Sequence, residues 1–326
     1  MRCTISANSD PWFNLATEEF FLKNSDEEHF LIYINEPCIV VGKHQNLLSE
    51  INLPFVLNNN IKLARRISGG GTVFHDLNNL NFSFIHNSQN PDKINFARYT
   101  SPILEALRAM NLNVEFSERH DLLIDGKKIS GNAMHIFKSR VLSHGTLLYN
   151  SDLRQLSDAL QNNPQKYVDK SIKSVRSKVV NIAGYMDHPL PIDSFALDLF
   201  NKIVNKTIHS HVKALSDKEV TDIQQIAELR YETWEWIYGY SPKYLFQNSI
   251  KLADLTLKFE MLVEKGVIKS ISVNTTQQSD PIYATALNLL INVKHDYHEI
   301  KRLFETNPII KLQPNFNIPE FCTHLF

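Results

Sequence analysis

Residues 65–76 read Arg65-Arg66-Ile67-Ser68-Gly69-Gly70-Gly71-Thr72-Val73-Phe74-His75-Asp76, with Asn79 and Asn81 following. Three successive glycines between two apolar runs remove every Cβ from a loop, so a ligand can approach backbone N–H groups closely. The paired arginines add positive charge beside it, a combination that suits an adenylate or a phosphate. A flexible or tight hairpin loop has the same composition. The run is neither GxxxxGK[ST] nor GxGxxG, so the P-loop and dinucleotide readings both fail.

A second stretch, Asp121 to Ala133, reads DLLIDGKKISGNA. With Asp125-Gly126 as a tight turn, Lys128 lies in the returning strand and faces opposite to Lys127 and Ile129. One lysine then points inward, where it can neutralise a carboxylate and a phosphate together, as acyl-adenylation needs. A Lys-Lys pair beside a turn is equally a solvated surface feature. The third stretch is Ser143-His144-Gly145-Thr146-Leu147-Leu148, in which His144 is either a catalyst or a structural hydrogen-bonder. The fourth, Lys173 to Asn181 (KSVRSKVVN), has cations at Lys173, Arg176 and Lys178. It reads as a loop closing over a triphosphate or as a solvated basic turn.

The elements that must hold these residues alternate in type. Ser9-Asp10-Pro11 predicts a helix start, with Phe13, Ala16 and Phe20 at helical spacing. Short β-rich runs follow at 30–34, 38–41, 61–64, 72–74 and 80–84, and a helix at 103–110. Ser216 and Glu219 form a capping box at the head of a helix running through Arg230. Ser241-Pro242 breaks the pattern, and alternation restarts at Leu255, Leu257, Phe259, Met261 and Val263. A domain boundary is therefore placed near Phe246, dividing 1–246 from 247–326. A hairpin at Glu264-Lys265-Gly266 and helices near 284–291 and 297–304 complete the tail.

With 326 residues, 43% of them hydrophobic, the chain can bury the cores of two folding units. Lys and Arg total 34 against 35 Asp and Glu, so no overall basic field exists to hold nucleic acid or an anionic membrane. No apolar run approaches the roughly 20 residues needed to cross a bilayer. Cys3, Cys38 and Cys322 are widely spaced and odd in number, which fits a reducing compartment. The first residues lack an apolar signal core and soon carry Asp10, Glu18 and Glu19, so a cytoplasmic location is expected.

Together DPWFNLATEEF, VGKHQN at 41–46, RRISGGGTVFHD, KKISGNA, HGTLLYNSDL, KSVRSKVVNI and WEWIYGYSP, in that order, resemble the lipoate-protein ligases over nearly the whole chain. The resemblance implies an α+β fold: a catalytic domain like those of biotin ligases and class II tRNA synthetases, then a smaller α+β accessory domain. It implies an ATP-dependent ligase that forms lipoyl-AMP and passes the lipoyl group to a lysine of an acceptor domain. Arg66, Ser68 and Gly69, Gly70 and Gly71 would hold the lipoyl chain and adenylate, with Thr72, Val73, Phe74 and Asn79 on the nucleotide. Lys128 would contact the acyl carbonyl and phosphate, and His144, Lys173 and Arg176 would complete the substrate site. Asp121 is the candidate ligand for Mg2+. Acceptors would be lipoyl domains of 2-oxoacid dehydrogenase complexes or the glycine cleavage H protein, and the enzyme would act as a monomer.

Two positions depart from the family pattern: Asn78 stands where Gly is usual in the His-Asp-x-Gly-Asn run, and His120 precedes Asp121 in place of Asn. The nearest rival is an ATP-independent octanoyl or lipoyl transferase, whose cysteine-dependent members need a thiol at the site. No cysteine occurs between 39 and 321, and Cys38 sits in an apolar strand pattern. A biotin ligase would carry a different glycine-arginine signature. A non-enzymatic lipoyl-binding protein would keep the pocket without Lys128 or the nucleotide contacts.

Overall fold

The computed structural model describes residues 1–88, 96–118, 121–175, 177–252, 255–275, 281–313 and 316–326. Asp10 caps the Pro11–Asn24 helix through the Trp12 and Phe13 N–H groups, and Pro11 takes the first turn, where no donor is needed. Burial runs around this helix rather than along one stripe, and includes Asn14, Thr17, Glu18 and Glu19. Buried carboxylates require partners. Glu19 accepts from Lys23, Arg230 and the Tyr231 hydroxyl, while Glu18 accepts from Tyr33 and faces His144.

The chain divides into two compact units, each assembled from three separated segments: 1–43, 61–158 and 174–233 in the first, and 44–60, 159–173 and 234–326 in the second. The first unit is built on a six-stranded sheet ordered Asn132–Phe137, Arg140–Leu148, Asn79–Asn87, His29–Ile34, Arg2–Ile5 and His211–Val212. Neighbours are antiparallel as far as His29–Ile34 and parallel beyond it. The alternating Leu80, Phe82 and Phe84 all enter its core, where Phe30 stacks between Phe84 and Phe200 at 4.6 and 5.5 Å. Each such burial contributes roughly 1.5–3 kcal/mol. The Phe96–Arg108 and Ile192–Lys206 helices add Ile103, Leu107, Phe195 and Leu199 to the same core.

Two small sheets complete this unit and carry the motifs. Cys38–Val41 lies between Lys62–Arg65, parallel, and Val73–His75, antiparallel. Val114–Phe116, Leu122–Ile124 and Lys127–Ser130 form an antiparallel meander. Asp125 and Gly126 have φ of 50° and 69°, the left-handed pair that a two-residue hairpin turn requires.

In the second unit a four-stranded antiparallel sheet is ordered Tyr167–Asp169, Tyr244–Leu252, Leu255–Glu264 and Val267–Thr275. Leu257, Phe259, Met261 and Val263 are buried at every second position, and Lys265-Gly266 makes another left-handed turn. Phe246, near which the sequence places the boundary, is buried inside a strand against Tyr167 and Phe259. The alternation restarting at Leu255 is thus the second strand of a hairpin already begun at Tyr244. The unit also draws in 44–60 and 159–173, which no local pattern ties to the end of the chain. The mixture of helix and sheet is the α+β class expected. Among the described residues no helix is long and apolar enough to cross a membrane.

Candidate functional site

The glycine loop is suspended from one strand, since Val41 pairs with Arg65 on its entry side and Val40 with Val73 on its exit side. Both arginines turn into the protein. Arg65 is fully buried and donates to the Gly42 and Lys43 carbonyls. Arg66 donates from Nε to the Ser68 hydroxyl and from its fork to the carbonyls of Val40, Gly69 and Gly71, at 2.6–3.1 Å. Burial pushes its pKa down to about 10, so it remains a cation at neutral pH. It therefore shapes the loop from within.

That arrangement leaves the N–H groups of Gly69, Gly70 and Gly71 without a hydrogen bond among the described residues. Gly70 sits at φ 89°, and a side chain at Gly42 would overlap the Gly70 carbonyl oxygen. The loop can approach its supporting strand only because both positions lack a Cβ.

Other stretches converge on the same loop. Ala133 of KKISGNA lies beside Gly70, and Ser174 lies against Gly71 while its hydroxyl accepts from the Thr72 N–H at 2.9 Å. His144 Nε2 is 2.6 Å from Ser68 Oγ. The 174–181 segment is joined to the lysine hairpin by backbone bonds: Lys128 N–H to Lys178 O, and Val180 N–H to Lys128 O. Lys127 is exposed, whereas the Lys128 side chain is 25% exposed, passes over Gly131 and ends 3.0 Å from Asp121. Simple alternation does not explain this, because Ile129 shares the Lys127 parity yet is buried. The register shifts by one at Leu122/Leu123, which releases it from the strand period.

Val73 is half-buried, and Phe74 is buried opposite Ile39. Asn79 is fully buried and donates to Asn81 Oδ1, while its own Oδ1 has no hydrogen-bond partner among the described residues. Asp76 closes the turn before it, accepting from the Asn78 and Asp152 N–H groups. Asn78 is not among the positive-φ residues, so the turn makes no demand for glycine there. Leu147, of the same stretch as His144, is packed in the core of the large sheet.

Lys173 belongs to the second unit, where Asp169 holds its ammonium at 2.9 Å and Ser49 Oγ lies 3.2 Å away. Burial alone would raise the Asp169 pKa, but hydrogen bonds from Ser171, Asn46 and Lys173 bring it below the ordinary carboxylate value. Arg176 and His120 lie outside the described residues. Among the described residues no group of three His, Cys, Asp or Glu side chains is placed to hold a metal. The single carboxylate of Asp121 still fits Mg2+, which takes one or two carboxylates and draws its other ligands from substrate phosphates and water. Cys3, Cys38 and Cys322 are buried, and burial raises every one of their thiol pKa values, so none is a ready thiolate.

The sequence reading left Glu18, Tyr33, Gly42 and Ser174 without roles. The available signal was the pair of adjacent acids, Glu18 and Glu19, set between Leu15-Ala16 and Phe20-Phe21 in the first helix.

The chain matches the profile of the lipoyl protein ligase A/B catalytic domain over residues 10–204. It is 40% identical over 299 residues to lipoate-protein ligase 1 of Staphylococcus aureus, covering 90% of each chain. A Bacillus subtilis lipoate-protein ligase is 39% identical over 269 residues, 81% of each. Among solved structures, a bipartite lipoate protein ligase of Thermoplasma acidophilum, described with its E2 lipoyl domain, superposes with a TM-score of 0.63 at 25% identity. That match covers 73% of this chain and 96% of the other. The profile spans every stretch that meets at the glycine loop, and so the chain belongs to the lipoyl protein ligase A/B family.

Proposed function

We propose that the chain activates lipoate with ATP as lipoyl-adenylate and transfers the lipoyl group to a lysine of an acceptor lipoyl domain. What carries the reading is the glycine loop: among the described residues the N–H groups of Gly69, Gly70 and Gly71 are uncommitted, Thr72 beside them is bonded to Ser174, and Lys128 is bonded to Lys178 and Val180. In the first step a lipoate carboxylate oxygen attacks the α-phosphorus of ATP, and the bond to pyrophosphate breaks. Preorganised donors lower the cost of the charge developing there. Thr72, Val73, Phe74 and the Asn79 amide oxygen hold the nucleotide, while Arg66, Ser68 and His144 fix the loop.

In the second step the acceptor amine attacks the acyl carbon, AMP leaves and the amine loses its proton. Lys128 polarises the acyl carbonyl. Magnesium, with Asp121 as its protein ligand, would supply neutralisation of phosphate charge. A role for Lys173 toward the triphosphate requires it to leave Asp169, and Arg176 would act beside it. The acceptors are the lipoyl domains of 2-oxoacid dehydrogenase complexes or the glycine cleavage H protein, and the enzyme works as a cytoplasmic monomer.

Lipoate, but not biotin, is expected to drive incorporation of labelled pyrophosphate into ATP. Transfer from a lipoylated donor without ATP, in the absence of any exchange, would overturn the reading in favour of a transferase.

A further inference from the structure

Glu18, His144, Ser68 and Arg66 form one continuous hydrogen-bonded chain inside the first unit. The Tyr33 hydroxyl donates to Glu18 Oε1 at 2.9 Å, and Glu18 Oε2 is 2.8 Å from His144 Nδ1. His144 Nε2 is 2.6 Å from Ser68 Oγ, which also accepts from Arg66 Nε at 3.0 Å. The Arg66 fork then ties the Gly69 and Gly71 carbonyls at 2.6 and 2.7 Å. All five side chains are buried, Glu18 at 1% exposure and Ser68 at 0%.

Proton accounting gives the chain a direction. Arginine only donates, so Ser68 accepts from it and has a single O–H left to give. That proton goes to His144 Nε2, the imidazole keeps its proton on Nδ1, and Nδ1–H donates to the Glu18 carboxylate. Every proton then has an acceptor. The order acid, imidazole, hydroxyl is that of a nucleophilic triad. Ser68, however, has no solvent-facing surface and already accepts a charged donor, so an acyl carbonyl has no approach to its oxygen.

We propose that Glu18 is a positioning residue for the proposed ligase reaction: through His144 and Ser68 it fixes the Arg66 guanidinium, which holds the two loop carbonyls and so sets the glycine N–H groups toward the acyl-adenylate. This rests on the reading that the loop holds that intermediate. It gives Glu18 a function at a distance from the ligand.

The test uses the full chain labelled with 15N-histidine. In the unaltered protein the His144 resonances should show the Nδ1–H tautomer, with Nε2 unprotonated. Glu18→Gln should change that signature, and kcat for lipoate-driven exchange should fall roughly 10- to 100-fold, the scale of a misplaced binding group. KM for lipoate should move far less. Ser68→Ala should give a similar loss, and the double variant should lose no more than the worse single one, because members of one chain are not additive. Tyr33→Phe removes only the outermost donor and serves as the milder variant should Glu18→Gln fail to fold. The Nε2–H tautomer in the unaltered chain, additive losses, or a trapped acyl-Ser68 would each overturn the proposal. Absence of exchange in the unaltered chain would count against the ligase reading alone, since the tautomer is read without turnover.

Discussion

Lys128 is placed by its backbone more than by the alternation of its strand, because its N–H and C=O are both taken by 178 and 180. Lys128→Ala should therefore leave the hairpin formed while removing one cation from both half-reactions. Loss of a preorganised charge contact costs roughly 100- to 1,000-fold, about 3–4 kcal/mol. The exposed neighbour supplies the control, and Lys127→Ala should change turnover only slightly. Single-turnover lipoylation, with ATP and separately with lipoyl-AMP, measures both; equal losses would place the wrong lysine in the site. A second prediction concerns Gly42. Gly42→Ala forces a methyl group against the Gly70 carbonyl, so the loop must lift from its strand. Overpacking of this kind costs typically 1–3 kcal/mol, and exchange activity should drop more than the thermal midpoint suggests. At this scale the sequence disclosed residue types well, since glycines and cations beside turns are local signals. It did not disclose directions: nothing in Arg65-Arg66 shows that both guanidinium groups point inward, or that Glu18 reaches a histidine 126 residues away.

Helices and hairpins were legible where a few neighbouring residues decide them. Asp10-Pro11, the Asp125-Gly126 turn and the Ser216/Glu219 capping box all form as their chemistry dictates. Pairing across the large sheet was not legible, because the parallel junction of Arg2–Ile5 with His29–Ile34 and His211–Val212 joins distant segments with no local mark. One consequence is testable through Glu219, which caps its own helix and accepts from Arg2 at 2.5 Å. The Arg2 hydrogen bond, with the Ser216 bonds, holds its carboxyl down at about 2 against an ordinary 4.5. A depressed carboxylate stabilises the fold above its unfolded pKa and loses that contribution as pH falls from about 4.5 toward 2. The loss is on the order of 2–3 kcal/mol. Urea midpoints measured across that window should fall, and should fall less for Glu219→Gln; parallel curves for the two proteins would refute the assignment.

Because the two units interleave along the chain, no single cut separates them. Removing 247–326 would take two strands of the four-stranded sheet and most of a third, Tyr244–Leu252, and would strip Phe259 from the buried Phe246. Such a truncate should bind a hydrophobic dye and melt at lower temperature than the full chain; an undisturbed melting curve would show that the first unit needs nothing from these residues. The second unit also carries its own acid sensitivity. His295 accepts from the Tyr244 hydroxyl through Nδ1 and donates from Nε2 to the Leu325 carbonyl, an arrangement only the neutral ring can make. Burial lowers its pKa to about 4 despite the Leu325 bond. The stability this represents is complete above the unfolded value of about 6.5 and drains away as pH falls toward 4, on the order of 3 kcal/mol. An imidazole of His295 that charged near pH 6.5 would contradict this. The interleaving bears finally on synthesis. Residues 44–60 leave the ribosome early but belong with 234–326, and Arg2–Ile5 waits for His211–Val212. Domains that close long sequence separations fold late and slowly, so during translation this chain should trail a long stretch of unburied apolar strand, making it a natural client for chaperones that bind nascent polypeptides.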